Sequence, residues 1–167
     1  MAGLGVAAAG LVAARLGPSA VLGAETYLAA TGAVLAVHDA TTRRLPNLVV
    51  VGSYPIEALL LILASSIDGA WGALWRAGVG AVVLGGCLRA LALVFPGQLG
   101  LGDPKLAALY AMGLAWWGWP TLLCGVLGAW ALAALWMLGR ALAGRRGAVP
   151  FAPFLLAGAL LALWVTR

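Results

Sequence analysis

The sequence predicts an all-α protein, a polytopic transmembrane helical bundle of seven spans, six at the fewest. Three observations carry that expectation. The 167-residue chain is 64% hydrophobic and only 9% charged, with a mean hydropathy of +1.06. Apolar runs recur along nearly all of it, and most basic residues fall in the short gaps between them. In a soluble protein a net charge of +5 would suggest a nucleic-acid partner. Here the basic residues are topology signals, and no nucleic acid is expected.

A spanning helix needs about 20 apolar residues, about 17 at the short end, and that ruler gives seven segments in order. Residues 2–17 are short and carry Arg15; no basic stretch precedes them, so they read as a retained membrane segment and not a cleaved signal. Residues 1–22 are thus a possible extra N-terminal span before a core over 23–167. The next run, 22–39, ends at His38 and Asp39, just before the basic Arg43 and Arg44. Residues 47–67 hold Glu57 in mid-run, and 74–95 form a long apolar stretch ending before a glycine-rich turn. Segments 104–119 and 120–139 are separated only by Trp-Gly-Trp-Pro, where Pro120 offers a break and the tryptophans suit an interface. The last run is 150–166. With no internal repeat or linker, 1–167 reads as one domain.

If the first segment begins inside, Arg43, Arg44, Arg89, Lys105, Arg140, Arg145 and Arg146 fall at inner gaps, leaving only Arg15, Arg76 and Arg167 outside. That asymmetry places the N-terminus and the two charged gaps of interest at the cytoplasmic face.

Only five acids are present, so each can be weighed singly. Glu25 and Asp68 lie near segment ends and read as solvated interface charges. Glu57 falls within hydrocarbon, where a charge costs at least about 3 kcal/mol, so it should face the bundle interior, be protonated or make a functional contact. Asp39 and Asp103 come from distant parts of the chain yet lie at the same membrane depth. Such a pair, held close, cannot ionise together; one member keeps a proton, and the two can serve as general acid and general base. His38 neighbours Asp39 but points elsewhere on a helix. Cys87 and Cys124 stand alone, without a CxxC or nearby histidines, so no metal site and no cofactor are expected.

The punctuation around the two aspartates is specific. Pro46 and Asn47 stand where a chain leaves a turn and enters a helix. Gly100 and Gly102 permit close backbone approach or positive φ before Asp103, and Pro104 suits a first helical turn. Asp39 with Arg44-Leu45-Pro46-Asn47, then Gly100-Leu101-Gly102-Asp103-Pro104-Lys105, then Pro150-Phe151-Ala152-Pro153-Phe154 together resemble the type IV prepilin peptidases, membrane aspartic proteases of the GxGD type. The resemblance covers residues from about 24 to 166 and makes 23–167 the peptidase core.

That resemblance implies cleavage of a short basic leader from pilin-like precursors, after a small residue that is usually glycine, at the cytoplasmic membrane. It implies that Asp39 and Asp103 are catalytic, that Gly100, Gly102 and Lys105 shape the loop around them, and that Arg44, Pro46, Asn47, Pro150, Phe151 and Pro153 support the site. Besides precursor peptides, the expected partner is membrane lipid, with the basic gap near Arg145 able to meet anionic headgroups. The cysteine-bearing methyltransferase domain of many full-length members has no counterpart here, so leader cleavage without methylation is expected. Pro104 and Ala152 depart from the residues common at those places. The reading from another class is a small proton-coupled transporter or channel, with the same aspartates relaying protons.

Overall fold

The computed structural model describes residues 2–95, 100, 102–145 and 149–166. Leu101, Arg146 and Arg167 therefore lie outside the described residues. Among the described residues seven α-helices follow in order: α1 (Ala2–Leu16), α2 (Leu22–Thr42), α3 (Asn47–Asp68), α4 (Trp71–Val94), α5 (Asp103–Trp117), α6 (Trp119–Leu142) and α7 (Ala152–Thr166). No strand occurs among the described residues. By length and composition α3, α4 and α6 are apolar enough to cross a membrane, while α1 and α7 are shorter apolar helices. At 21 residues α2 has the length, but Glu25, His38 and Asp39 lower its hydropathy.

The centre of the bundle is α5. Leu106, Ala107, Leu109, Tyr110, Ala111, Ala115 and Trp116 are all buried, although they point in every direction around the helix. A helix that is apolar all round belongs in a core. Helices α2, α3, α4, α6 and α7 pack around it. Its 15 residues span only about 22 Å, less than a hydrocarbon layer of about 30 Å.

Small residues set the closest helix contacts, as expected where lipid supplies no hydrophobic drive toward association. Helices α6 and α7 meet at Gly125, Ala129 and Gly158. A Cβ added to Gly158 would run into the carbonyl oxygen of Gly125 and lie 2.6 Å from the backbone nitrogen of Ala129.

Turn chemistry fixes the connections. Pro46 precedes α3 in extended geometry (φ −68°, ψ 109°), as its position in the sequence predicts. Helix α2 ends on Arg43, a non-glycine residue in the left-handed region (φ 53°) whose N–H donates to the Asp39 carbonyl at 2.8 Å. The break between α5 and α6 is made by Gly118 at φ 147°, with Pro120 inside the first turn of α6. Pro120 thus starts a helix instead of ending one, because its missing N–H is harmless there.

Several charges take places the sequence did not suggest. Glu25, expected to be solvated, is only 3% exposed, and its Oε1 accepts the Trp117 indole N–H at 2.7 Å. Glu57 is fully buried, as its position in mid-run requires, and neither carboxyl oxygen has a hydrogen-bond partner among the described residues. Arg76, counted above as an outer topology charge, donates from Nε to the Ala115 carbonyl (2.8 Å) and from Nη2 to the Trp116 carbonyl (2.6 Å). It satisfies carbonyls that the end of α5 leaves without intrahelical partners. Of the two tryptophans expected at an interface, Trp119 is exposed and Trp117 half-buried, while the neighbouring Trp116 is buried. Asp68 is exposed, as expected, and Arg15 lies 5.9 Å from the Trp164 ring centroid.

Gly158→Val should lower stability by about 2–3 kcal/mol, because overpacking here presses on backbone. Gly139→Val, at a site where an added Cβ meets nothing within 4 Å, should change it by less than about 1 kcal/mol. Thermal unfolding of both variants in detergent micelles checks the pair.

Candidate active site

One end of the bundle gathers the C-terminal ends of α2, α4 and α6 and the N-terminal ends of α3, α5 and α7. It holds an open cleft of about 1820 Å³, and both Asp39 and Asp103 line it. The sequence elements around the two acids, scattered over more than a hundred positions, meet here.

Asp39 sits in the last turn of α2 and is 6% exposed. Its Oδ2 accepts the backbone N–H of Ala152 at 3.0 Å, in a buried contact. Ala152 is the first residue of α7, and a helix N-terminus complements a carboxylate. Pro150 and Phe151 line the cleft, Pro153 occupies the first turn of α7, and the Phe151 carbonyl accepts the N–H groups of Phe154 and Leu155, each at 3.1 Å. Phe151 also packs edge-on against Trp130, with centroids 5.7 Å apart. The late proline-phenylalanine element therefore aims a backbone donor at Asp39. Ala152 itself is fully buried.

Asp103 opens α5. The Gly100 N–H donates to its Oδ2 at 3.2 Å, and the Asp103 N–H donates to the Gly100 carbonyl at 3.1 Å. Burial and the neighbouring Asp39 charge push the Asp103 carboxyl up to about 6, against the smaller opposing pull of the Gly100 N–H. Gly102 has φ −80°, so it is used for close approach and not for positive φ: a Cβ there would lie 3.1 Å from Leu45. Pro104 lies in the first turn of α5, where it stiffens the helix start without removing a needed donor.

Lys105 joins the second element to the first. Its Nζ donates to Asn47 Oδ1 at 2.9 Å, and its backbone carbonyl accepts the Tyr54 hydroxyl at 2.6 Å. The N-terminal ends of α3 and α5 are thereby locked together. Arg44 lines the cleft, and its carbonyl accepts the His38 Nδ1–H at 2.8 Å. His38, adjacent to Asp39 in sequence, thus holds the following loop instead of the acid.

Sequence reasoning missed Tyr54, the loop-holding role of His38 and the Ala152 N–H. Tyr54 carried a signal: it stands seven residues after Asn47, on the same face of α3. The Ala152 donor is a main-chain atom and carried none. Among the described residues no cluster of histidine, cysteine and acidic side chains is suited to a metal ion.

A polytopic helical membrane protein with two carboxyls from separate helices converging in one cleft is the class that this fold and site define. The chain belongs to the type IV leader peptidase family, which it matches over residues 26–138. It is a protease of the leader-peptidase type. The matched region holds Asp39, the Arg44 to Asn47 element and Asp103, and it ends before the Pro150 to Phe154 element. No curated protein and no solved structure matches the chain.

Tyr54→Phe removes only the hydroxyl that reaches the Lys105 carbonyl. It should cost about 1 kcal/mol of stability and lower leader cleavage several-fold by loosening the start of α5, as read by thermal unfolding and a gel-shift cleavage assay.

Proposed function

We propose that this protein is an aspartic endopeptidase that removes the short basic leader from type IV pilin-like precursors at the cytoplasmic face of the membrane. The observation that carries this reading is the convergence of Asp39 and Asp103 on one cleft, each held by a backbone N–H from a different element. Asp103 keeps its proton to about 6 and takes the acid role; Asp39 takes the base role.

A water between the carboxyls gives a proton to Asp39 as its oxygen attacks the scissile carbonyl carbon. The Asp103 proton passes to the leaving nitrogen as the C–N bond breaks. The products are a carboxylic acid on the leader and a free amine on the mature chain, with the aspartates' protonation exchanged. Gly100, Gly102 and Lys105 hold the loop and helix start that carry Asp103, while Pro150, Phe151 and Pro153 set the α7 terminus that faces Asp39.

The cytoplasmic placement is supported by charge. Arg43, Arg44, Arg89, Lys105, Arg140 and Arg145 belong to the cleft end, while Arg15 and Arg76 belong to the other. The rival transporter reading has the same two aspartates relay protons, with the buried acids Glu25 and Glu57 as further stations. It requires proton flux that depends on Asp39 or Asp103 in reconstituted vesicles, where a peptidase shows none.

Co-expression with a tagged pilin-like precursor tests the proposal. N-terminal sequencing should find cleavage at a single junction, lost in both Asp39→Asn and Asp103→Asn; survival of cleavage in either variant would sink the aspartyl mechanism.

The pH profile gives a separate check. Because the Asp103 carboxyl is raised, its proton is present below about 6 and leaves as pH rises through that value. Cleavage should therefore decline on the alkaline side by about tenfold per pH unit once the acid is ionised. The same sign makes the folded protein lose stability as pH rises from the ordinary aspartate range through about 6.

A further inference from the structure

The cleft extends well beyond the two aspartates. Helices α4 and α6 both pack on α5 but scarcely on each other, so a groove runs between them with α5 as its floor. On the α4 side it is lined by Ala81, Gly85, Gly86 and Arg89, and on the α6 side by Ala133 and Ala134, all in the same cavity as Asp39 and Asp103. From Ala81 to Arg89 is two turns of helix, about 12 Å.

Two adjacent glycines show how the α4 wall is divided. A Cβ on Gly85 would lie 2.7 Å from the Ala108 Cβ, so this glycine is consumed by packing α4 on α5. A Cβ on Gly86 would meet nothing within 4 Å. The chain's own core therefore ends at Gly85, and Gly86 opens onto vacant space. Deeper in the groove the lining is apolar, with Val82 75% and Trp130 41% exposed. At the other end stand Arg89, Lys105 and the two carboxyls. The cavity, at about 1820 Å³, exceeds the roughly 300–1,000 Å³ of small-molecule sites.

We propose that this groove receives the precursor's apolar transmembrane helix, which enters sideways from the lipid between α4 and α6 with its N-terminal end turned toward Asp39 and Asp103. The inference rests on the leader-peptidase reading above and adds where the substrate docks. The occupant follows from the gradient along one continuous cavity: an apolar helix fits the deep part, and the polar junction preceding it falls beside the acids. Small walls matter because helices associate in lipid through close backbone approach and van der Waals contact. Gly86 and Ala134 are then residues that set how bulky a substrate helix can be.

Disulfide trapping tests the placement. In a chain carrying Cys87→Ser, Cys124→Ser and Asp103→Asn, Gly86→Cys and Ala134→Cys are introduced separately, with Gly52→Cys on α3 as the control outside the groove. The probe is a synthetic precursor in phosphatidylcholine vesicles, with a basic leader, a glycine junction and an apolar helix of about 20 residues bearing single cysteines. Trapping at positions 86 and 134 by precursor cysteines near the junction, and not at 52, is the expected result. Equal trapping at 52, no trapping at all, or a disulfide joining two copies of this chain through position 86 overturns the proposal.

A second measurement uses the active chain. Gly86→Trp should slow cleavage of the vesicle-borne precursor by roughly a hundredfold, the order of cost for a misplaced substrate, while Gly52→Trp stays near the native rate. A native rate for Gly86→Trp also overturns the groove, and the trapping result stands even where tryptophan at 86 prevents folding. Because trapping uses an inactive chain, the two readings fail separately. A chain that cleaves with Asp103 in place but whose Asp103→Asn form is never trapped sinks the groove alone, and one whose Asp103→Asn form is trapped but which never cleaves with Asp103 in place sinks the peptidase reading alone.

Discussion

A helix enclosed on every side must have its exposed backbone groups satisfied by neighbours, and this constraint on α5 organises the rest of the molecule. Neither end of α5 can turn to bulk water for all its partners. At the C-terminal end the Arg76 guanidinium reaches across from α4 to the Ala115 and Trp116 carbonyls, and Trp117 bonds to Glu25 on α2. At the N-terminal end Lys105 is tied to α3 through Asn47 and Tyr54. These contacts fix both the depth and the rotation of α5. Asp103 is its first residue, so they also fix where that carboxyl sits.

The bundle holds four of its five acids in two pairs with contrasting surroundings. Asp39 and Asp103 share an open cleft and each accepts a backbone N–H. Glu25 and Glu57 are enclosed and lie within electrostatic reach of each other; Glu57 makes no hydrogen bond among the described residues. A buried carboxyl without partners is costly, and the proposed chemistry makes no use of it. The difference lies in the helix ends. At the cleft, helix starts and a glycine turn present free N–H groups, whereas Glu57 lies in mid-helix, where the backbone donors are already engaged.

Much of the helix plan was legible because spanning segments carry long apolar runs whose ends are marked by proline, glycine or charge. The starts of α3 and α5 follow from Pro46 and Pro104, and the convergence of the three motif elements follows from an alternating path of helices. What was not legible depends on facing surfaces. Glu25 reads as a surface charge until Trp117, at the end of the central helix α5, is seen to cover it. Arg76 reads as a topology signal because its partners are carbonyls, which leave no trace in side-chain sequence. The glycines before Asp103 indicated an unusual backbone, but Gly102 serves close contact with Leu45 at ordinary φ. The break at Gly118 was hidden by the stronger marker at Pro120 two residues later.

The bond between Glu25 and Trp117 also bears on the order of assembly. The two residues are 92 positions apart, so at ordinary translation rates Glu25 emerges roughly 5–20 s before its partner exists. Throughout that interval α2 carries, in its first turn, an acid that α5 has not yet covered. The nascent N-terminal hairpin is therefore only provisionally placed until α5 arrives. Synthesis of the central helix is the event that commits the earlier ones to their final depth.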